Sequence, residues 1–383
     1  MQTSYSAGNA SFSRNLLRLA VPIVLQNLVT TAVSSADVIM PGFVSQDALA
    51  AGSLASQIMF ILNLVYSGIS SGVIMLAAQY WGKQDTLTIE RVIFATAANA
   101  SALLLNILLN AVFIFGLLGA PKMGIAGVAL ATTIARGIEF VICMLDALKF
   151  KTIRFRPSTI FERHNLLFVD FMKYSLPAFG NEVSWGLAFS MYSVIMGHLG
   201  SDIVAADAVV VVARNLGTVA CFGIANAGAI LLGKSIGAGL METVKADASK
   251  FCKITFISGM IGGIFIFLLR PLFMNMADLT ATAQGYLNIM LFINMYYVLG
   301  QAMNTAVICG VFRSGGDSKW GFICDTIDMW GYAVPMGFFT AFVLKLPPMW
   351  VYFIICTDEF VKIPFVYKHY KSYKWLKNIT REF

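Results

Sequence analysis

Charged side chains are the scarcest class in this chain. They make up 12% of its residues, where a soluble domain carries roughly 25%. So few charges cannot cover the surface of a water-soluble body this large, and a soluble globular protein is excluded. Histidine occurs only three times, and none stands near a nucleophile motif, so the usual acid–base constellations of an enzyme are missing. The six cysteines, at 143, 221, 252, 309, 324 and 356, are scattered one to an apolar segment with no C-x-x-C spacing. That pattern points to small packing residues rather than a disulfide framework or a metal site. No metal and no cofactor is expected. The N-terminal MQTSYSAGNASFSR is polar and lacks the pattern of a cleavable signal.

What fills the chain is apolar: 58% hydrophobic residues and a mean hydropathy of +0.75. A bilayer core takes about 20 apolar residues per helix. Ten segments qualify, at 16–40, 54–80, 92–118, 125–148, 171–199, 203–232, 251–274, 286–311, 322–344 and 350–367. The expected fold is an all-α polytopic membrane protein of about ten transmembrane helices. With ten alternating spans, 22 Lys and Arg, Arg313 and Lys362 among them, fall in loops or at span ends on the side of the termini, against Lys122, Arg270 and Lys345 on the other. By the positive-inside rule both termini are expected in the cytosol, in the plasma (inner) membrane. The net charge of +7 is then a topology signal, and no nucleic-acid partner is implied.

Residues 149–170, KFKTIRFRPSTIFERHNLLFVD, break the apolar pattern with basic residues interleaved with Phe and Ile. They read as an amphipathic cytosolic connector on the membrane surface. The connector separates an N-terminal lobe (1–148, four spans) from a C-terminal lobe (171–383, six spans). The two lobes echo each other. Pro22, Gln26-Asn27, Val38-Ile39-Met40 and Ala50-Ala51 recur as Pro177, Asn181-Glu182, Val194-Ile195-Met196 and Ala205-Ala206. Even span counts make the repeat parallel, about an axis along the membrane normal.

Several longer motifs carry a resemblance. They are RLAVPIVLQN (18–27), ADVIMPGFVSQDALAA (36–51), AAQYWGKQD (77–85), NILLNAVFIFG (106–116), MGIAGVALATTIARGIE (123–139), SLPAFGNEVSW (175–185) and FRSGGDSKWGF (312–322). With these the chain resembles the multidrug and toxic compound extrusion (MATE) transporters over almost its whole length. The resemblance implies a two-lobed, V-shaped antiporter exporting organic cations against inward proton or sodium flow. The chain departs from the family in one place. The family has twelve spans, and here TIERVIFATA, like the third family helix, runs at once into LLLNILLNAVFIFG, like the end of the fifth. About two crossings are absent, so the N-terminal lobe is shortened. The fused segment 92–118 is long enough, at roughly 40 Å as a helix, to cross a core of about 30 Å with tilt.

Polar groups inside spans are the functional candidates. Asp37 lies on the outward half of the first span. A carboxylate there costs several kcal/mol unless it is paired or protonated, which suits a proton carrier, and the resemblance implies a role in proton coupling at this position. Asn106 and Asn110 are spaced i, i+4 on one helix face, and the resemblance joins them and Thr132 to Asp37 in a polar network. Interhelical hydrogen bonding alone accounts for these three equally well. Glu182, with Trp185 three residues on, suits an organic cation through charge and cation–π attraction. Its alternative is a salt bridge to a base such as Arg214. Asp325 and Asp328 in one span, and Asp358 and Glu359 in the last, either line the cavity or neutralise nearby Lys and Arg. Asp328 is the one assigned to the cavity, with Glu182 and Trp185. Span 286–311 has no acidic residue, which counts against a complete sodium site of the family type.

The leading reading is a monomeric, cation-coupled exporter of amphipathic organic cations among membrane lipids, and not an enzyme. Two others stand beside it. One is an inactive or non-transporting remnant left by the internal shortening. The other is a flippase of lipid-linked substrate from the same superfamily, for which several cavity arginines are expected.

Overall fold

The computed structural model describes residues 9–42, 165–275 and 279–380, with isolated positions between 68 and 82 and between 109 and 141. Among the described residues every regular element is helical. The chain divides into two compact units. One holds Met1–Val21, Leu64–Asp85 and Phe171–Phe383; the other holds Pro22–Asn63 and Thr86–Asp170. The first helix, α1 (Asn9–Gly42), passes from one to the other. In the second unit the backbones come close at Gly127, where a Cβ would overlap Phe113.

The first unit carries the long helices α2 (Asn165–Leu199), α3 (Ser201–Gly237), α4 (Met241–Leu268) and α5 (Ala281–Thr305). α3, α4 and the run Ala281–Phe312 are each long and apolar enough to cross a membrane. These three pack on one another through small residues. A Cβ on Gly217 or Gly262 would collide across the α3–α4 contact, and one on Gly259 would collide with Ala302 of α5. Such close backbone approach is how helices associate where lipid gives no hydrophobic drive. The opposite face of α4 shows Ile257, Ile261, Ile264 and Leu268, all more than half exposed. They recur at helical spacing, so an unbroken apolar stripe points away from the bundle, as a lipid solvent requires.

α4 begins at Met241, ten residues before the expected span. Its first turns are too polar for lipid but are supported by Lys245–Glu242 (2.7 Å) and Lys250–Asp247 (3.2 Å) pairs, so the helix extends beyond the apolar stretch. The expected spans 171–199, 203–232 and 286–311 fall within α2, α3 and the run Ala281–Phe312. Those at 54–80, 92–118 and 125–148, with residues 149–164, lie outside the described residues except for isolated positions.

Beyond α5 the helices widen repeatedly. π turns occupy Ala306–Phe312, Met329–Ala333 and Phe339–Val343, interleaved with α6 (Ser318–Asp328) and α7 (Val334–Phe338). Pro335 explains the middle one: it lacks an N–H and its ring crowds the preceding turn. The chain turns at 315–316, with Gly316 at φ 76°. The last span, expected as one helix over 350–367, is broken into α8 (Pro348–Ile355), α9 (Asp358–Val361) and α10 (Ile363–Lys371). Pro364 and the turn at Cys356-Thr357 interrupt it.

Candidate functional site: a buried carboxylate cage

Four helical segments of the first unit bring their polar side chains to one place. α2 supplies Asn181, Glu182 and Trp185; α5 and its π extension supply Gln301, Asn304, Cys309 and Arg313; α6 supplies Asp325; the broken last span supplies Glu359 and Lys362. Together they line a cavity of about 60 Å³. The π turn Ala306–Phe312 ends one residue before Arg313, and Met329–Ala333 begins one residue after Asp328. Such widenings change which side chains face inward, and they recur at functional sites.

Two cations sit among five carboxylates. Arg313 donates from Nη2 to Glu182 Oε1 (2.8 Å) and from Nη1 to Ser71 Oγ (2.8 Å). Lys362 Nζ lies 3.1 Å from Glu359 Oε2, 3.2 Å from Asp325 Oδ1 and 3.6 Å from Asp328 Oδ2. Asn304 Nδ2 donates to both the side chain (2.7 Å) and the carbonyl (2.6 Å) of Glu359. Asp358 accepts from Tyr192 Oη (3.2 Å) and from the Glu359 N–H (2.7 Å). With Glu182, Asp325, Asp328, Asp358 and Glu359 against Arg313 and Lys362, ionised carboxylates would outnumber bases five to two. Buried carboxylates in such excess attract further positive charge. The amide oxygens of Asn181 and Gln301, 6% and 5% exposed, also line the cavity and accept no hydrogen bond.

The structure brings the expected Glu182 and Trp185 to the cavity wall. It places Asp328 just behind the wall, joined to it through Lys362. The partner of Glu182 is Arg313, 131 positions away, and not Arg214. Arg214 lies instead over the rings of Phe189 (5.2 Å) and Tyr297 (5.6 Å). Arg313 and Lys362 were counted above as cytosolic loop charges; both are buried. Lys362 had a local signal in its i, i+3 spacing from Glu359. Arg313 had none, because its partner Glu182 stands 131 positions away. Asp37 lies on α1, its side chain outside the described residues; Asn106, Asn110, Thr132, Arg136 and Glu139 also lie outside them. Among the described residues no three His, Cys, Asp or Glu side chains are grouped as a metal-ligand set.

A bundle of apolar helices around a buried, ion-paired polar cavity defines a membrane transport protein rather than a packed structural bundle. The family model MatE matches residues 22–142 and 177–339. The chain belongs to this family of integral-membrane transporters.

Among its relatives, the "Uncharacterized transporter YisQ" of Bacillus subtilis is 27% identical over 285 residues, covering 72% of this chain and 60% of that protein. This chain thus spans somewhat less than two thirds of that relative. The "Probable multidrug resistance protein NorM" of Rhizobium meliloti is 25% identical over 420 aligned positions, covering 87% of each. That alignment is longer than the 383 residues of this chain, so it contains gaps on this side, in keeping with internal shortening. A solved MOP-superfamily transporter from Pyrococcus furiosus superposes with a TM-score of 0.81 at 17% identity, covering 95% of this chain and 97% of the other. At that identity the match speaks to the fold.

Proposed function

We propose that this protein exports amphipathic organic cations by alternating access, coupled to inward movement of protons or sodium. The observation that carries the reading is the cage: Glu182, Asp325, Glu359, two bases and two unsatisfied amide oxygens line one small cavity, with Asp328 and Asp358 next to them. Each unfilled acceptor favours a hydrogen-bond donor or a cation. A cavity of about 60 Å³ is far below the roughly 300–1,000 Å³ of a drug-sized pocket. It therefore takes the charged group of a substrate, or the coupling ion, and not a whole drug. Glu182 and Trp185 receive the cationic group, and Asp328 adds to the field behind them. Asp37, with Asn106, Asn110 and Thr132, is assigned the proton-coupling role. One elementary charge crossing 100 mV releases about 2.3 kcal/mol, enough for a gradient of roughly fifty-fold.

The lobes are taken as 1–148 and 171–383 about the connector 149–170, with the protein a monomer in the inner membrane and both termini cytosolic. The test is export of a fluorescent organic cation by everted vesicles, with proton and sodium gradients imposed separately. Glu182→Gln is expected to raise KM about tenfold for cationic substrates and to leave neutral ones nearly unchanged. Asp37→Asn is expected to abolish proton-driven export at normal expression. Wild type with neither proton- nor sodium-dependent export would favour the remnant reading.

A further inference from the structure

We propose that Lys362 is a tethered counter-cation: its ammonium holds the carboxylate cage until the cationic group of a substrate displaces it. The inference rests on the cation-binding reading above and adds what competes for the site. A lysine towards the cytosolic end of a span ordinarily runs its stem outward and places its ammonium among the headgroups. Lys362 does the reverse. It is 4% exposed, and three carboxylates from two segments, Asp325, Asp328 and Glu359, surround its Nζ within 3.6 Å.

A structural ion pair would end there, with each polar group satisfied. Here the cavity that Lys362 lines also presents Asn181 Oδ1 and Gln301 Oε1, buried acceptors without a donor. Lys362 spends its charge on the carboxylates and leaves these two amides unmet. Both oxygens of Asp328 also lack a hydrogen-bond donor. A substrate ammonium entering the cavity could meet the amides and the Glu359 carboxylate together, which the tethered one does not do.

The backbone suits such an exchange. Lys362 lies at the junction between α9 and α10, and Pro364 withholds an N–H there, so its stem leaves from a helix break. The inference has a consequence for selectivity. Because a resident cation must leave, apparent affinity is lowered by the fraction of cages the lysine holds, and the cage favours a primary ammonium that can replace all of its contacts.

The test is equilibrium binding of dansylcadaverine, a fluorophore on a primary alkylammonium arm, to the purified full chain in nanodiscs. Glu359→Gln is expected to bind more weakly than wild type. Lys362→Met is expected to bind about tenfold more tightly, and Lys362→Arg close to wild type. The charge-matched double variant Lys362→Met/Asp328→Asn separates a tether from a simple field effect, and it serves if the single variant does not fold. It should still bind more tightly than wild type, although its net charge is the same. Wild-type binding that weakens in Glu359→Gln, with a double variant no tighter than wild type, overturns the tether and leaves the cation site standing. A wild type that does not bind, with no response in Glu359→Gln, overturns both.

Discussion

The Arg313–Glu182 pair shows how much a single contact decides inside this bundle. Arg313 is 10% exposed at its side chain and Glu182 18%, so each charge relies on the other and on Ser71. Removing one partner of a buried pair leaves the other uncompensated, at about 3–5 kcal/mol, whereas replacing both with apolar groups is often close to neutral. Arg313→Met is therefore expected to lower thermal stability in detergent by the lower end of that range, since neither group is fully sealed from solvent. Arg313→Met/Glu182→Met should recover most of the loss. A double variant as unstable as the single one would show that the arginine acts mainly through its contact with Ser71. At this scale the sequence is half informative. The acids stand out because lipid forbids them, so Glu182, Asp325, Asp328, Asp358 and Glu359 are all visible as exceptions. The bases do not, because Lys and Arg near span ends are ordinary topology signals, and only packing shows that two of them turn inward.

Elements in this protein are held by contacts that local patterns do not announce. Within the first unit, the C-terminal segment after α10 is clasped by the fully buried Gln79. Its Nε2 donates to the carbonyls of Ser314 (2.7 Å) and Lys377 (3.1 Å), and its Oε1 accepts from the Ile379 N–H (2.8 Å). Trp375, whose position near a span end suggests an interfacial aromatic, is instead fully buried and donates to the Tyr370 carbonyl at 3.0 Å. Asp317 accepts from His369 Nε2 at 2.7 Å and lies 3.8 Å from Lys377 Nζ, so the 313–317 turn is tied to the same tail. Gln79→Ala is expected to cost about 1–3 kcal/mol and to speed tryptic cleavage after Lys374 and Lys377. Trp375→Ala is expected to cost more, about 3–5 kcal/mol. Unchanged cleavage in Gln79→Ala would mean that Trp375 and the Asp317 contact fix the tail without it. Small residues behave as their positions suggest. Gly68 and Gly72 face Phe179 and Ser175 of α2, so Gly72→Val should separate these segments and destabilise the unit.

For the whole molecule, the expected orientation is open to a direct measurement. Reporter fusions at Phe383 and within 149–170 are both expected to read cytosolic, because the basic residues are so unevenly divided between the two sides. An external signal from either would overturn the topology, and with it the assignment of Lys362 to the cytosolic end of its span. The family model matches two stretches, residues 22–142 and 177–339.

The sequence by itself determined the class of structure. Backbone N–H and C=O groups find no partner in hydrocarbon, so long apolar stretches must form helices. It also determined where the costly carboxylates lie. Tertiary structure decided which of them act together. Glu182 and Arg313 stand 131 positions apart, and Gln79 and Ile379 stand 300 apart. Helix periodicity relates only neighbours three or four residues away, so no local pattern could pair such residues. The π turns and the break at Lys362 then rotate side chains off the regular helical faces. That is why an expected cavity wall of Glu182, Trp185 and Asp328 became a larger cage with a lysine among its carboxylates.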